Sequence, residues 1–195
     1  MKKITYLLLA FAALAFVSCE QTESAKNMFQ ASGVSHDAKY AYFAPYLRAL
    51  SNQLDSVEVV DGKFVVEDSI IGGVGGVEVV VAGRTGWMFV TNDGNVNLLE
   101  GGRVGGTPLN DELQAFADEV EKSKSDSVAV ANLCNNFFDK HNDGAIAVAG
   151  YVIVMNYKHD ADAQSLLQRC SPDVQNYIKQ SVQAMWNMVI SHQSN

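Results

Sequence analysis

The amino-acid sequence predicts an α+β protein: a small antiparallel β-sheet or sandwich followed by a C-terminal helical region of about five helices. Three observations predict it. Across residues 33–106, β-branched and aromatic residues alternate with polar ones around Asp-Gly turns. From residue 107 the apolar spacing changes to threes and fours. Apolar residues make up 48% of the 195, enough for a real core and too many for a disordered chain.

In the β region the clearest signal is DSVEVVDGKFVVEDS, residues 55–69. Asp61-Gly62 suits a two-residue hairpin turn that needs φ > 0 at both positions. A turn there sets Val60 opposite Lys63, Val59 opposite Phe64, Glu58 opposite Val65 and Val57 opposite Val66. Side chains alternate faces along a strand, so Val57, Val59, Phe64 and Val66 share one face. The same reasoning at GWMFVTNDGNVNLLE puts a turn at Asp93-Gly94, with Phe89 opposite Leu98 and Thr91 opposite Val96. Between these hairpins Val77 to Ala82 is a β-branched run and reads as a strand. Lys39 to Tyr46 (KYAYFAPY) is strand-like, with Pro45 favouring an edge or an end. About six antiparallel strands are expected.

Residues 107–193 are expected to be helical. Thr107-Pro108 reads as an N-cap with proline at the first helical position. Leu109, Leu113, Phe116 and Val120 then form a stripe. Asp126 or Ser127 opens a second helix, with Val130, Leu133, Cys134 and Phe137 inward. Asp143 caps a third, apolar nearly all round and so central. Asp160 begins a fourth. Ser171-Pro172-Asp173 opens the last, with Val174, Tyr177, Ile178, Val182, Met185, Trp186 and Val189 on one stripe.

The beginning of the chain follows another logic. Lys2 and Lys3 precede an apolar run from Ile4 to Val17, shorter than the ~20 residues a spanning helix needs. Positive flank, short apolar stretch and small Ser18 together read as a secretory signal over residues 1–18. Ser18-Cys19 looks like the lipobox of bacterial lipoproteins, with Phe16 where those sequences prefer Leu. In that reading Cys19 is acylated and becomes the mature first residue. The alternative is an ordinary signal peptide cleaved elsewhere, with Cys19 incidental. Two or more acyl chains suffice for stable attachment, at ~0.8 kcal/mol per buried methylene. Residues 19–32, polar and small, read as a tether. Loss of Lys2 and Lys3 from 14 basic residues leaves 12 against 22 acidic ones, a formal charge of −10. Such a balance disfavours nucleic acid and anionic lipid surfaces as partners.

No motif carries chemistry by spacing alone. Gly101 to Thr107 (GGRVGGT) precedes a helix, and Arg103 could assist an anion there. It lacks the Lys-Ser/Thr of a phosphate loop and the spacing of a dinucleotide fold, so it reads as a crossover between the β and α parts. His36, His141, His159 and His192 show no ligand spacing. No metal, cofactor or catalytic residue is expected. Cys134 and Cys170 are expected as free buried thiols rather than a disulfide. Tyr40, Tyr42 and Tyr46, with Trp87, are the candidate partner or ligand surface, weighed against ordinary strand packing.

LDSVEVVDGKFVVE (54–67) and FVTNDGNVNLLEGGRVGGTPLNDELQAF (89–116) together resemble a known family. It is the uncharacterised N-terminal domain of bacterial thioredoxin-like, thiol–disulfide interchange lipoproteins. The DGKF turn and the GTPLND helix start carry the resemblance, which covers roughly residues 33–190. In those relatives a redox domain with a C-x-x-C site follows the helices. Here the residues end at Asn195, and neither Cys134 nor Cys170 matches that motif, so the redox activity is not carried over. With the Ser18-Cys19 lipobox present and the redox site of those relatives missing, the expectation is a non-catalytic, lipid-anchored protein of the bacterial cell envelope, most simply the outer membrane. Its expected partner is another envelope protein, because the family domain works beside a second domain. The alternative is a small-ligand carrier with a pocket between sheet and helices.

Replacing Cys19 tests the anchor. Cys19→Ala is expected to abolish labelling by a palmitate analogue and to move the protein from the membrane to the soluble fraction; equal labelling of both chains contradicts it.

Overall fold

A computed structural model describes residues 28–46, 54–69, 76–81, 84–91, 94–156 and 160–193. Its strands are, in chain order, β1 (Met28–Val34), β2 (Tyr40–Pro45), β3 (Asp55–Glu58), β4 (Lys63–Ser69), β5 (Val77–Val81), β6 (Arg84–Phe89), β7 (Asn95–Leu98) and β8 (Val104–Gly105). They form two four-stranded sheets, ordered β4-β1-β7-β8 and β3-β2-β5-β6. Alternation decides which side chains lie between them. Phe29, Ala31, Phe64, Val66, Val96 and Leu98 from the first sheet meet Ala41, Phe43, Val77, Val79, Trp87 and Phe89 from the second. Phe29 packs edge-on against Phe89 with ring centroids 5.8 Å apart, and Phe64 tilts against Trp87 at 5.7 Å. A buried Phe of this kind contributes about 3–5 kcal/mol relative to Ala. The β part is therefore a sandwich.

Both expected hairpins are corrected by this arrangement. The Asp61-Gly62 turn exists, with φ of 51° and 74°. Val60 and Lys63 exchange both backbone hydrogen bonds, at 2.8 and 2.9 Å. Beyond that pair the strands part. β3 joins β2 and β4 joins β1, so Val57, Glu58 and Val59 do not face Val66, Val65 and Phe64. Val59 donates its N–H to Lys39 O instead, at 2.9 Å. The apolar faces come together across the core rather than side by side, which buries both sets at once. β6 and β7 separate in the same way, and Phe89 meets the side of the core that Leu98 also lines. The turn residue Asp93 lies outside the described residues. β7 runs parallel to β1, the exception to the antiparallel expectation. Pro45 is the last residue of β2, which is an inner strand. β1 starts at Met28, inside the segment expected as tether. Cys19 and the signal-like segment also lie outside the described residues.

The helices are α1 (Pro108–Lys122), α2 (Ser127–Lys140), α3 (Gly144–Met155), α4 (Asp160–Arg169) and α5 (Pro172–Gln193). The starts of α2 and α5 follow the expected cap chemistry, whereas the Asp143 side chain makes no capping bond at α3. Asp126 Oδ1 accepts from the backbone N–H of Val128 and Ala129, both at 3.0 Å. Ser171 Oγ accepts from Val174 N at 3.3 Å and donates to Asp143 Oδ1 at 2.5 Å, tying the starts of α5 and α3 together. That bond holds the Asp143 carboxyl below its usual range. Leu113, Phe116 and Val120 of α1, Val130, Cys134 and Phe137 of α2, and Val174 and Ile178 of α5 are buried as expected. α3 is buried from Ile146 through Tyr151 and is central. Phe116 stacks on Phe137 with centroids 4.0 Å apart. At the α1–α2 corner, Lys140 and His141 both engage Glu112 and lower its carboxyl pKa. The expectations for Met185, Trp186 and Val189 concern side chains outside the described residues.

The sandwich and the helices have separate cores, and a buried polar seam at Val90 is among the contacts that join them. Val90 follows β6 and packs with the helical core. Its backbone leaves the sheet with both polar groups buried, and these need partners. Asn110, in the first turn of α1, supplies both. Its Oδ1 accepts from Val90 N and its Nδ2 donates to Val90 O, each at 2.9 Å. Nδ2 also donates to Thr107 Oγ1 at 2.7 Å. Thr107 occupies the N-cap position, yet its hydroxyl holds Asn110 rather than capping the helix. Asp111 Oδ1 accepts from Gly106 N at 2.9 Å. The GTPLND segment is thus the joint between the two halves.

Candidate binding cleft

The outer face of the second sheet is where sandwich and helices leave space. β5 and β6 present Glu78 and Met88 away from the sandwich core, opposite α1 and the last turn of α3. A 3₁₀ turn, Glu100–Gly102, and the following Arg103 close one end. The result is an open cleft of about 740 Å³.

Its rim is held by a chain of named contacts. Trp87 Nε1 donates to Leu99 O at 2.6 Å, pinning the chain just before the turn. Leu99 N donates to Arg103 O at 2.8 Å and closes it. Gly102 has φ of 80°, and a methyl on it would stand 2.7 Å from the Gly86 carbonyl oxygen. Only glycine lets this turn lie on β6 without strain. Gln114 Oε1 accepts from Val104 N at 2.7 Å, while its Nε2 donates to Asp118 Oδ1 at 2.8 Å. Arg103 donates to Asp118 Oδ2 at 2.5 Å. Asp118 is thereby fixed from two sides and the Arg103 charge is engaged. Glu121, one turn further along α1, pairs with Lys124 at 2.6 Å. Deeper in, Glu78 is only 7% exposed and lines the cavity with Met88 and Leu113.

The residues expected to form a binding surface do not come together. Tyr40 and Tyr42 are 38% and 39% exposed, with ring centroids 6.4 Å apart, on the open part of the sheet's outer face. Lys39 Nζ lies 5.4 Å from the Tyr40 ring centroid. Tyr46 is a core residue of the helical half, 1% exposed, and its carbonyl accepts from Tyr177 Oη at 2.8 Å. Burial, then Tyr177 and Glu78, push its hydroxyl pKa well up. Tyr46, the residue just after inner strand β2, is packed among the helices, which corrects its assignment to a surface. Trp87 belongs to the sandwich core and offers the cleft an edge.

Glu78, Asp118 and Gln114 were not anticipated as site residues. A single acid inside VEVVVA is the signal that marks Glu78, because a charge in a buried strand needs a reason. The glycine turn carrying Arg103 reads correctly as a crossover, with its arginine committed to Asp118.

Among the described residues, no group of three or more His, Cys, Asp and Glu is arranged to hold a metal ion. Among the same residues no helix is long and apolar enough to cross a membrane. Cys134 and Cys170 are buried and not joined in a disulfide. Burial, partly offset by Arg169, pushes the Cys170 thiol up to about 11. A thiol needs a low pKa and access to be reactive, and Cys170 has neither.

Compared with known proteins, the chain matches no family model, no curated protein and no solved structure.

Thiol reactivity follows from this burial. In the Cys19→Ala chain, a thiol reagent at pH 7.5 is expected to label Cys134 and Cys170 at least about a hundredfold more slowly in the native protein than in urea. The native rate at Cys170 should still be climbing above pH 9, since its thiolate forms only near pH 11. A native thiol labelled at the denatured rate contradicts this.

Proposed function

We propose that this chain is a non-catalytic, membrane-anchored lipoprotein of the bacterial cell envelope, which holds a small ligand in the cleft between sandwich and helices. The cleft carries the reading. Its volume of about 740 Å³ falls in the usual range for small-molecule sites, roughly 300–1,000 Å³. Apolar walls and a few fixed polar groups are the usual make-up of such a site. Gln114 and Arg103 hold Asp118 in place before any ligand arrives, which lowers the ordering cost of binding. The anchor rests on the sequence, where Ser18-Cys19 closes a short apolar segment. An outer-membrane location is part of the same proposal.

A second reading is a protein-binding accessory module acting beside a separate envelope protein. The exposed pair Tyr40 and Tyr42 favours it, because tyrosine is enriched where proteins dock. The two readings use different surfaces.

Amide shifts separate them. In the full mature polypeptide, residues 19–195, a small-molecule fragment set is expected to move the amides of Gly86, Gly101, Gly102 and Val104 and to raise Tm. Fragments that leave those amides still, with envelope extract shifting Tyr40 and Tyr42 instead, favour the docking module and overturn the carrier.

A further inference from the structure

A second cavity, of about 440 Å³, lies between α4 and α5 and shares no lining residue with the cleft. Its banks follow from the helix period, since residues four apart share a face. Gln164 and Gln168 stand one turn apart on α4, and Gln175, Lys179 and Gln183 are spaced by four on α5. Leu167 and Ile178, both buried, and half-buried Val182 supply apolar surface between the banks. Gln175 closes the end where α4 gives way to α5: its Nε2 donates to Cys170 O at 2.8 Å and to Gln168 O at 3.4 Å. Gln183 Nε2 donates to Asn187 Oδ1 at 3.0 Å. The side-chain amides of Gln164 and Gln168 and the Lys179 ammonium make no hydrogen bond or ion pair among the described residues. Lys179 is the one formal charge that those residues bring to the lining, with no Asp or Glu beside it.

An occupant must answer the charge, the amides and the apolar floor together. A cation meets Lys179 with no carboxylate in the lining to offset it. A neutral hydrocarbon covers Leu167, Ile178 and Val182 but takes water from the ammonium and gives nothing back. A small inorganic anion pairs with Lys179 and leaves the apolar floor wet. The chain's formal charge of −8 opposes an anion at long range, but salt screens that field beyond roughly 8 Å, so the groups in contact decide. We propose that this groove takes a carboxylate carried on a short aliphatic chain. The carboxylate accepts from Lys179 and from the open amides of Gln164 and Gln168, and the methylenes lie on Leu167, Ile178 and Val182. A free alkanoate and the C-terminus of a polypeptide ending in leucine both present this group.

The test uses the full mature polypeptide with hexanoate, butanoate, 1-hexanol, n-hexylamine and the peptide Ac-Gly-Gly-Leu with a free carboxyl end. Near pH 7, hexanoate is expected to shift the amides of Gln168, Ile178, Lys179 and Val182 saturably while the cleft amides of Gly86, Gly101 and Gly102 stay still. It should bind at least about fivefold tighter than hexanol or hexylamine, and at least about threefold tighter than butanoate, which lacks two of its methylenes. Lys179 is exposed, so Lys179→Gln removes the charge without touching a core. That change should weaken hexanoate at least about threefold and leave hexanol where it was. Stronger binding of the leucyl peptide than of hexanoate assigns the group to a polypeptide C-terminus; the reverse assigns it to a free alkanoate. Hexanol or hexylamine binding as tightly as hexanoate, or hexanoate undiminished in Lys179→Gln, overturns the ligand class. Silence of the groove amides to all five probes, or shifts confined to the cleft, overturns the site.

Discussion

One side-chain amide holds the two halves of this protein in register. Val90 must leave the second sheet to enter the helical core, and its N–H and C=O are buried as it goes. A buried backbone group left unpaired costs about 1–3 kcal/mol. Asn110 answers both groups with the donor and acceptor of a single amide, as a neighbouring strand would. Because Asn110 sits in the first turn of α1, satisfying Val90 also fixes where that helix begins and which way it points. Thr107 completes the arrangement by accepting the second amide proton.

The helical wall of the cleft depends on that bond. α1 carries Leu113, Gln114, Asp118 and Glu121 along one side, and their positions follow from its start. Gln114 in turn reaches back to Val104, and Arg103 reaches forward to Asp118, so the glycine turn and the helix fasten each other. The opposite wall belongs to the sandwich, where Trp87 is locked between Phe64 and the Leu99 carbonyl. The charged pairs around the rim are exposed and contribute about 1 kcal/mol or less each. They orient the site rather than stabilise the fold, whose stability comes from the two buried clusters. A cavity whose walls are held by separate cores can accept a ligand without repacking either one.

The sequence conveys the local chemistry well and the partnering poorly. The turn at Asp61-Gly62, the inward faces of β4 and β7, the helix stripes and the places where helices start are all readable, because each depends on neighbours in the chain. The pairing of strands is not. Hairpin logic put Val57 beside Val66 and Phe89 beside Leu98, and alternation alone cannot distinguish two residues side by side from two residues facing across a sandwich. Tyr46 shows the same gap: an aromatic at a strand end looks the same whether it meets solvent or a helix far along the chain. At the cleft, Glu78 and Arg103 are visible as oddities in sequence, but they are 25 residues apart and only the fold brings them to one cavity. Asn110 is legible as part of GTPLND, where it reads as helix-start chemistry, while its work is tertiary.

Amide hydrogen exchange at Val90 tests the joint most directly. With Asn110 intact, the Val90 N–H should exchange only on global unfolding, as a fully buried core amide does. In Asn110→Ala that amide loses its acceptor and Val90 O loses its donor, a loss of about 3 kcal/mol, or roughly a hundredfold in exchange rate. Gly102 and Val104 should lose protection with it, while core amides of β1 and β4 keep theirs. An Asn110→Ala chain whose Val90 amide exchanges as slowly as before, with unfolding free energy unchanged, would show that the two halves are held together by something else.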